Sequence, residues 1–159
     1  MIETLKDAHG IETICLRYFN VFGPRQDPNT QYAGAIAKWI TCALRGEPYP
    51  VNDDGEQTRD FTYVENVVRA NLLAATAPVK GHVAANIACG RRTTLNHVIA
   101  ILNELTGQQL ASVTRPPRAG DIRDSLASIE RARTLLGYEP SVGLREGLGR
   151  TLEWYRSRG

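Results

Sequence analysis

Arg59, Arg118 and Asp121 are the residues whose types and neighbours point first to chemistry. Arg59 follows a polar turn and precedes Phe61 and Tyr63, so its stem can pack while its guanidinium reaches a cleft. Arg118 lies in a Pro- and Gly-rich loop three residues before Asp121, a spacing that lets a guanidinium and a carboxylate face one ligand. All but three of the 19 basic residues are Arg. The planar Arg fork suits bidentate phosphate contact, so a few of them could serve a diphosphate, and GC-rich codon usage explains most of the rest. Asn20 comes directly after a strand-like run, where a side-chain amide projects from the carboxyl edge of an α/β sheet, the usual ligand position. The competing readings are an Asn that caps its own loop and surface salt bridges of little worth.

Those residues need a scaffold, and 159 residues with 42% hydrophobic content suffice for one domain with a real core. A net charge of +2 lacks the basic excess that holds a protein on nucleic acid. No apolar run approaches the roughly 18 to 20 residues of a membrane span, and Glu3, Lys6 and Asp7 stand where a signal peptide would be apolar. The expected location is cytoplasmic, with neither nucleic acid nor membrane as partner. Cys15, Cys42 and Cys89 are odd in number and sit among apolar neighbours, which predicts buried free thiols. His9, His82 and His97 have no ligand at metal spacing, so no metal is expected.

The pattern predicts a helix end over 2–9 stopped by Gly10, then a strand over 11–19 with Ile14, Leu16 and Tyr18 on one face. A loop fills 20–32, and a helix follows with Ala33, Ile36, Ala37, Ile40, Ala43 and Leu44 on its apolar stripe and Trp39 off it. Two extended pieces flank a turn at Asp53-Asp54-Gly55. A helix marked by Val64, Val67, Val68, Leu72 and Ala75 ends before Pro78, and His82 to Ala88 is a strand. Asn86 reads as a turn former, and Thr94 as the cap of a helix that Gly107 closes. A strand near 111–114 and helices near 129–136 and 144–157 complete an α/β chain with too few strands for a whole doubly wound sheet. No Gly-x-Gly-x-x-Gly turn occurs to cradle a dinucleotide.

Four motifs stand in order: Arg17-Tyr18-Phe19-Asn20-Val21-Phe22-Gly23-Pro24-Arg25-Gln26; Asp54-Gly55-Glu56-Gln57-Thr58-Arg59-Asp60-Phe61-Thr62-Tyr63-Val64; Asn86-Ile87-Ala88-Cys89-Gly90; and Arg118-Ala119-Gly120-Asp121-Ile122-Arg123-Asp124-Ser125. Together they resemble the second half of the NAD-dependent epimerases and dehydratases of the extended short-chain dehydrogenase/reductase family, UDP-sugar 4-epimerases in particular. The resemblance implies the last strands and helices of a Rossmann-type sheet plus a small substrate-binding part, without the N-terminal dinucleotide-binding half. On that basis 1–23 and about 64–106 would be residual Rossmann elements, and about 24–63 and 107–159 the substrate-binding part. It also implies that Arg59 and Arg118 hold a UDP diphosphate, that Asp121 takes a ribose hydroxyl, and that Asn20 touches the diphosphate or sugar. Trp39 and the backbone of Pro50-Val51-Asn52 match uridine-contacting segments, with simple packing the other reading for Trp39. Phe19 would border a nicotinamide.

The chain departs from the family pattern at Asp53, where Gly is usual, at Ala37, where Pro is common, and at Ser128, where Asp is usual. Asp53 brings an extra negative charge near the implied diphosphate. In the family a Tyr with a Lys four residues later takes the sugar hydroxyl proton while NAD takes the C4 hydride. No such pair precedes Asn20 here, so NAD is expected for the intact enzyme but not on this chain alone, and catalysis by the chain alone is not expected. Three readings follow: a portion of a UDP-sugar 4-epimerase that works with a complementary N-terminal half or as a homo-oligomer, a non-catalytic UDP-sugar binding module, or a degenerate fragment with exposed apolar edges. A 4,6-dehydratase or UDP-glucuronate decarboxylase would share much of this half.

Overall fold

The computed structural model describes residues 11–30, 34–118 and 120–158. The helix end expected over 2–9, its Gly10 stop, and Ala33 lie outside them. Strand β1 (Thr13–Tyr18) leads through Asn20 to the two-residue β2 (Val21–Phe22), and helix α1 (Ala35–Arg45) precedes β3 (Tyr49–Asn52). Strands β4 (Thr58–Arg59) and β5 (Thr62–Tyr63) run directly into α2 (Val64–Thr76). Then come β6 (His82–Ile87), β7 (Thr93–Thr94), α3 (Leu95–Thr106), β8 (Ser112–Arg115), α4 (Glu130–Leu136) and α5 (Leu144–Arg156). The α/β class is as expected.

The strands form four two-stranded ladders: β1 with β6, β2 with β5 and β3 with β8 are parallel, and β4 with β7 is antiparallel. The two extended pieces around Asp53-Asp54-Gly55 therefore do not pair with each other; β3 takes a partner beyond residue 110 and β4 one near 93.

Burial divides the packing into groups. Trp39, Ile40, Tyr49, Leu102, Leu148 and Leu152 join α1, β3, α3 and α5 in one cluster. Ala85, Ile87, Val67, Ala70, Leu136 and Tyr138 join β6, α2 and α4 in a second, with Ile14 and Leu16 of β1 packed on it. The Thr94 hydroxyl caps α3 by accepting from His97 N at 3.1 Å, and Gly107 ends the helix with a left-handed φ of 69°, as the pattern predicts.

Some expectations fail for identifiable reasons. Tyr18 is 48% exposed, because it stands at the end of β1, past the core, and its hydroxyl donates to Asn71 of α2. On α2, Val68 and Leu72 face out while Asn66, Val67 and Ala70 face in. The buried Asn66 explains this rotation: its amide donates to Val142 O and its carbonyl oxygen accepts from Ser141 N and Val142 N, which ties that polar position inward. Asn86 is within β6 and donates to Ser128 O, so it is a strand residue that braces a loop. The three cysteines are free but only partly buried. Desolvation, reinforced by Asp60, pushes the Cys89 thiol up to about 11.

At Gly147, α5 packs tightly against Phe22 and Tyr63. A Cβ there would lie 2.9 Å from both Phe22 Cζ and Tyr63 Cδ2. Gly147→Ala is expected to cost about 1–3 kcal/mol by overpacking, seen as a lower urea midpoint with an unchanged slope. No helix among the described residues is long and apolar enough to cross a membrane.

Candidate functional site

Asn20 and β2, the ends of β3, β4 and β8 and the start of α1 surround a cleft of about 280 Å³. Its wall holds Asn20, Trp39, Asn52, Arg59, Arg118 and Asp121, so six of the eight residues expected from sequence meet in one place. Val51 and Phe19 do not line it.

Strand alternation explains Val51. Tyr49 N and Asp53 N donate to Ala111 O and Arg115 O, so odd positions of this segment turn their backbone toward β8. The Val51 side chain is buried in the core, and only its neighbours Pro50 and Asn52 face the cleft. Phe19 packs against Ala88, Ala127 and Ile129. Trp39 is not off the apolar stripe: it is 1% exposed, and its indole N–H donates to Pro50 O at 2.8 Å, fastening α1 to the strand edge. Asn20 has a left-handed φ of 36°, and its amide donates to Asp60 O at 3.3 Å, so it ties its turn to the segment between β4 and β5 while it borders the cleft.

The Arg59 guanidinium is held by three partners. Nη1 donates to Thr58 O at 2.7 Å and Arg123 O at 3.2 Å, and Nη2 to Asp121 Oδ1 at 2.5 Å. Arg118 and Asp121, expected to face one ligand, both border the cleft; Asp121 also clasps Arg59, and Arg118 makes no ion pair among the described residues. Asp60, next in sequence, points the other way and is fully buried. Its carboxylate accepts from Cys89 N and Gly90 N at 3.0 Å and from Ala127 N at 3.3 Å, so the second motif anchors the third.

Four polar wall residues escaped the sequence reading: Gln26, Lys38, Gln57 and Arg115. Lys38 and Arg115, with Arg59 and Arg118, bring the wall to four cations against the single carboxylate of Asp121. Gln57 is 4% exposed; its Nε2 donates to Asn52 O at 2.7 Å while Oε1 has no partner. Lys38 was identifiable as the neighbour of Trp39, and Gln57 from its place two residues before Arg59. Arg115 gave no signal beyond ending a strand. Asp53 has a φ of 60°, the left-handed region that glycine enters most easily, and its carboxylate lies 3.5 Å from Arg123, which offsets the added charge. The same guanidinium hydrogen-bonds Asp54 and holds that carboxyl below the usual carboxylate range.

The family model of the NAD dependent epimerase/dehydratase family matches residues 1–90. The chain belongs to the NAD-dependent epimerase/dehydratase family. Among its relatives in this family, a putative UDP-glucose 4-epimerase of Methanocaldococcus jannaschii is 36% identical over 98% of the chain and 50% of the relative. A UDP-N-acetyl-alpha-D-glucosaminuronate decarboxylase of Bacillus cytotoxicus is 30% identical over 92% of the chain and 47% of the relative. Among solved epimerase/dehydratase structures, the UDP-glucose 4-epimerase of Thermotoga maritima with UDP-glucose matches with a TM-score of 0.93 and 43% identity, covering 99% of this chain and 50% of that one. The UDP-N-acetylglucosamine 4-epimerase of Methanobrevibacter ruminantium M1, in complex with UDP-N-acetylmuramic acid, matches with a TM-score of 0.94 and 34% identity over the same shares. The chain thus spans about half the length of these epimerase/dehydratase relatives.

Proposed function

We propose that this chain is the UDP-sugar-binding portion of an NAD-dependent UDP-sugar 4-epimerase, which inverts C4 of the sugar through a transient 4-keto form. The observation that carries this reading is the convergence of Lys38, Arg59, Arg115 and Arg118 on one cleft beside Asp121 and Asn20. Fixed guanidinium groups in a partly desolvated cleft suit a diphosphate. In this reading Arg59 and Arg118 hold the diphosphate, Asp121 takes a ribose hydroxyl, and Asn20 faces the sugar side. The half-buried Pro50 and Asn52 face the uracil, with Trp39 and Val51 supporting them from behind.

The described residues do not fit NAD. None of their helices follows a strand through a Gly-x-Gly-x-x-Gly turn, and Phe19 is packed on Ala88, Ala127 and Ile129. The NAD site belongs to a dinucleotide-binding half that docks on the side of β1 opposite β6. Among the described residues that edge carries no strand partner, and Tyr18, Val68 and Leu72 are exposed on β1 and α2.

A second reading, a decarboxylase acting on a UDP-uronate, is favoured by the Bacillus cytotoxicus relative and would use the same diphosphate contacts. Calorimetric titration of UDP into the 159-residue chain tests what both share. Saturable binding that weakens as salt rises is expected, and a folded sample that gives no binding heat would rule it out.

A further inference from the structure

We propose, resting on the UDP-sugar reading, that Asp121 makes the cleft reject bare diphosphate anions and accept a diphosphate only when it arrives with hydroxyl donors beside it. Two backbone carbonyls, Thr58 O and Arg123 O, fix one nitrogen of the Arg59 guanidinium. The other is bound by the Asp121 carboxylate at 2.5 Å, and both side chains border the cleft. A bare diphosphate that approaches Arg59 meets this carboxylate first. It must either settle against a like charge or take the guanidinium N–H away and leave a carboxylate without its partner. A ligand that carries neutral hydroxyls next to its diphosphate avoids both penalties, because those hydroxyls donate to Asp121 as Arg59 turns to the phosphate. Selectivity of this kind comes from a repulsive element rather than from added attraction.

The rest of the wall shows why such an element matters. Lys38, Arg115 and Arg118 make no ion pair among the described residues, so without Asp121 the cleft is an unselective site for polyanions. Asp124 provides an internal comparison. It lies on the same loop and accepts from Thr58 Oγ1 at 2.7 Å, yet it does not line the cleft.

The test is calorimetric titration of inorganic pyrophosphate, and separately of UDP, into the native chain, D121N and D124N in metal-free, low-salt buffer. Each sample is first checked for a cooperative unfolding transition. D121N is expected to bind pyrophosphate about tenfold more tightly than the native chain, as expected for removing one like charge about 5 Å away across a solvated cleft. The same variant is expected to bind UDP more weakly, and D124N to change pyrophosphate affinity less than about twofold. Unchanged or weaker pyrophosphate binding by folded D121N overturns the proposal. An equal gain in D124N also overturns it, because the effect would then be one of general charge. If D121N does not fold, D121S answers the same question with a smaller neutral side chain. A native chain that binds no UDP defeats the UDP-sugar reading and with it the acceptance half of the proposal, whereas the pyrophosphate comparison reads the repulsion by the carboxylate independently.

Discussion

Asp60→Asn is expected to destabilise the fold by about 3 kcal/mol, one of the largest losses available from a single near-isosteric change. Both carboxylate oxygens of this fully buried residue accept backbone N–H groups: Oδ1 from Cys89, Oδ2 from Gly90 and Ala127. An amide has only one acceptor atom. In its better orientation it keeps Gly90 and Ala127 but turns an NH₂ against the N–H of Cys89. One bond of about 1.5–3 kcal/mol is lost and one buried donor is left unsatisfied. Urea unfolding should show the midpoint falling while the slope stays constant. An unchanged midpoint would show that the three N–H groups find other partners, and the account of how the second motif anchors the third would fail with it.

Arg59→Met should act mainly on binding: UDP affinity falls ten- to a hundredfold, while loss of the contacts to Thr58 O, Arg123 O and Asp121 lowers stability by about 1–2 kcal/mol, less than Asp60→Asn. Methionine retains the apolar stem against its surroundings. Besides its contacts within the chain, the variant loses a charge-assisted contact of about 1.5–3 kcal/mol to the phosphate. Arg133→Met is the appropriate comparison, because Arg133 lies in an exposed ion-pair cluster with Glu130 and Glu139 on α4. Calorimetry on the two variants should separate them clearly. Equal UDP affinities would remove Arg59 from the binding account.

The residues that could be read in advance were those whose local chemistry allows one role. Thr94 and Gly107 bracket α3 because a hydroxyl cap and a left-handed stop are determined by a few neighbours. Arg59, Arg118, Asp121 and Asn20 come together because each sits in a loop or at a strand end, where side chains are free to converge. Long-range partners decided the rest. Whether Val51 or its neighbours face the cleft depends on the register with β8, and residue 51 alone carries no trace of Thr114 opposite it. The orientation of α2 depends on Asn66 finding Ser141 and Val142, so Val68 and Leu72 look like core residues until that distant contact is known. Lys38 and Arg115 look like ordinary surface cations until the cleft closes around them.

The β3–β8 ladder joins residue 49 to residue 112 in parallel, and its far end sets Asn52 beside Arg115 at the mouth of the cleft. Closing so long a stretch of chain is entropically costly, and non-local parallel pairing of this kind forms slowly. Helices α1 and α3 can take shape before it, but the cationic wall is incomplete until it does. The appearance of nucleotide binding during refolding would thus be a clock for the last stage of assembly. A bound nucleotide would also act as a chemical chaperone, since it binds only the finished state and draws the equilibrium toward it.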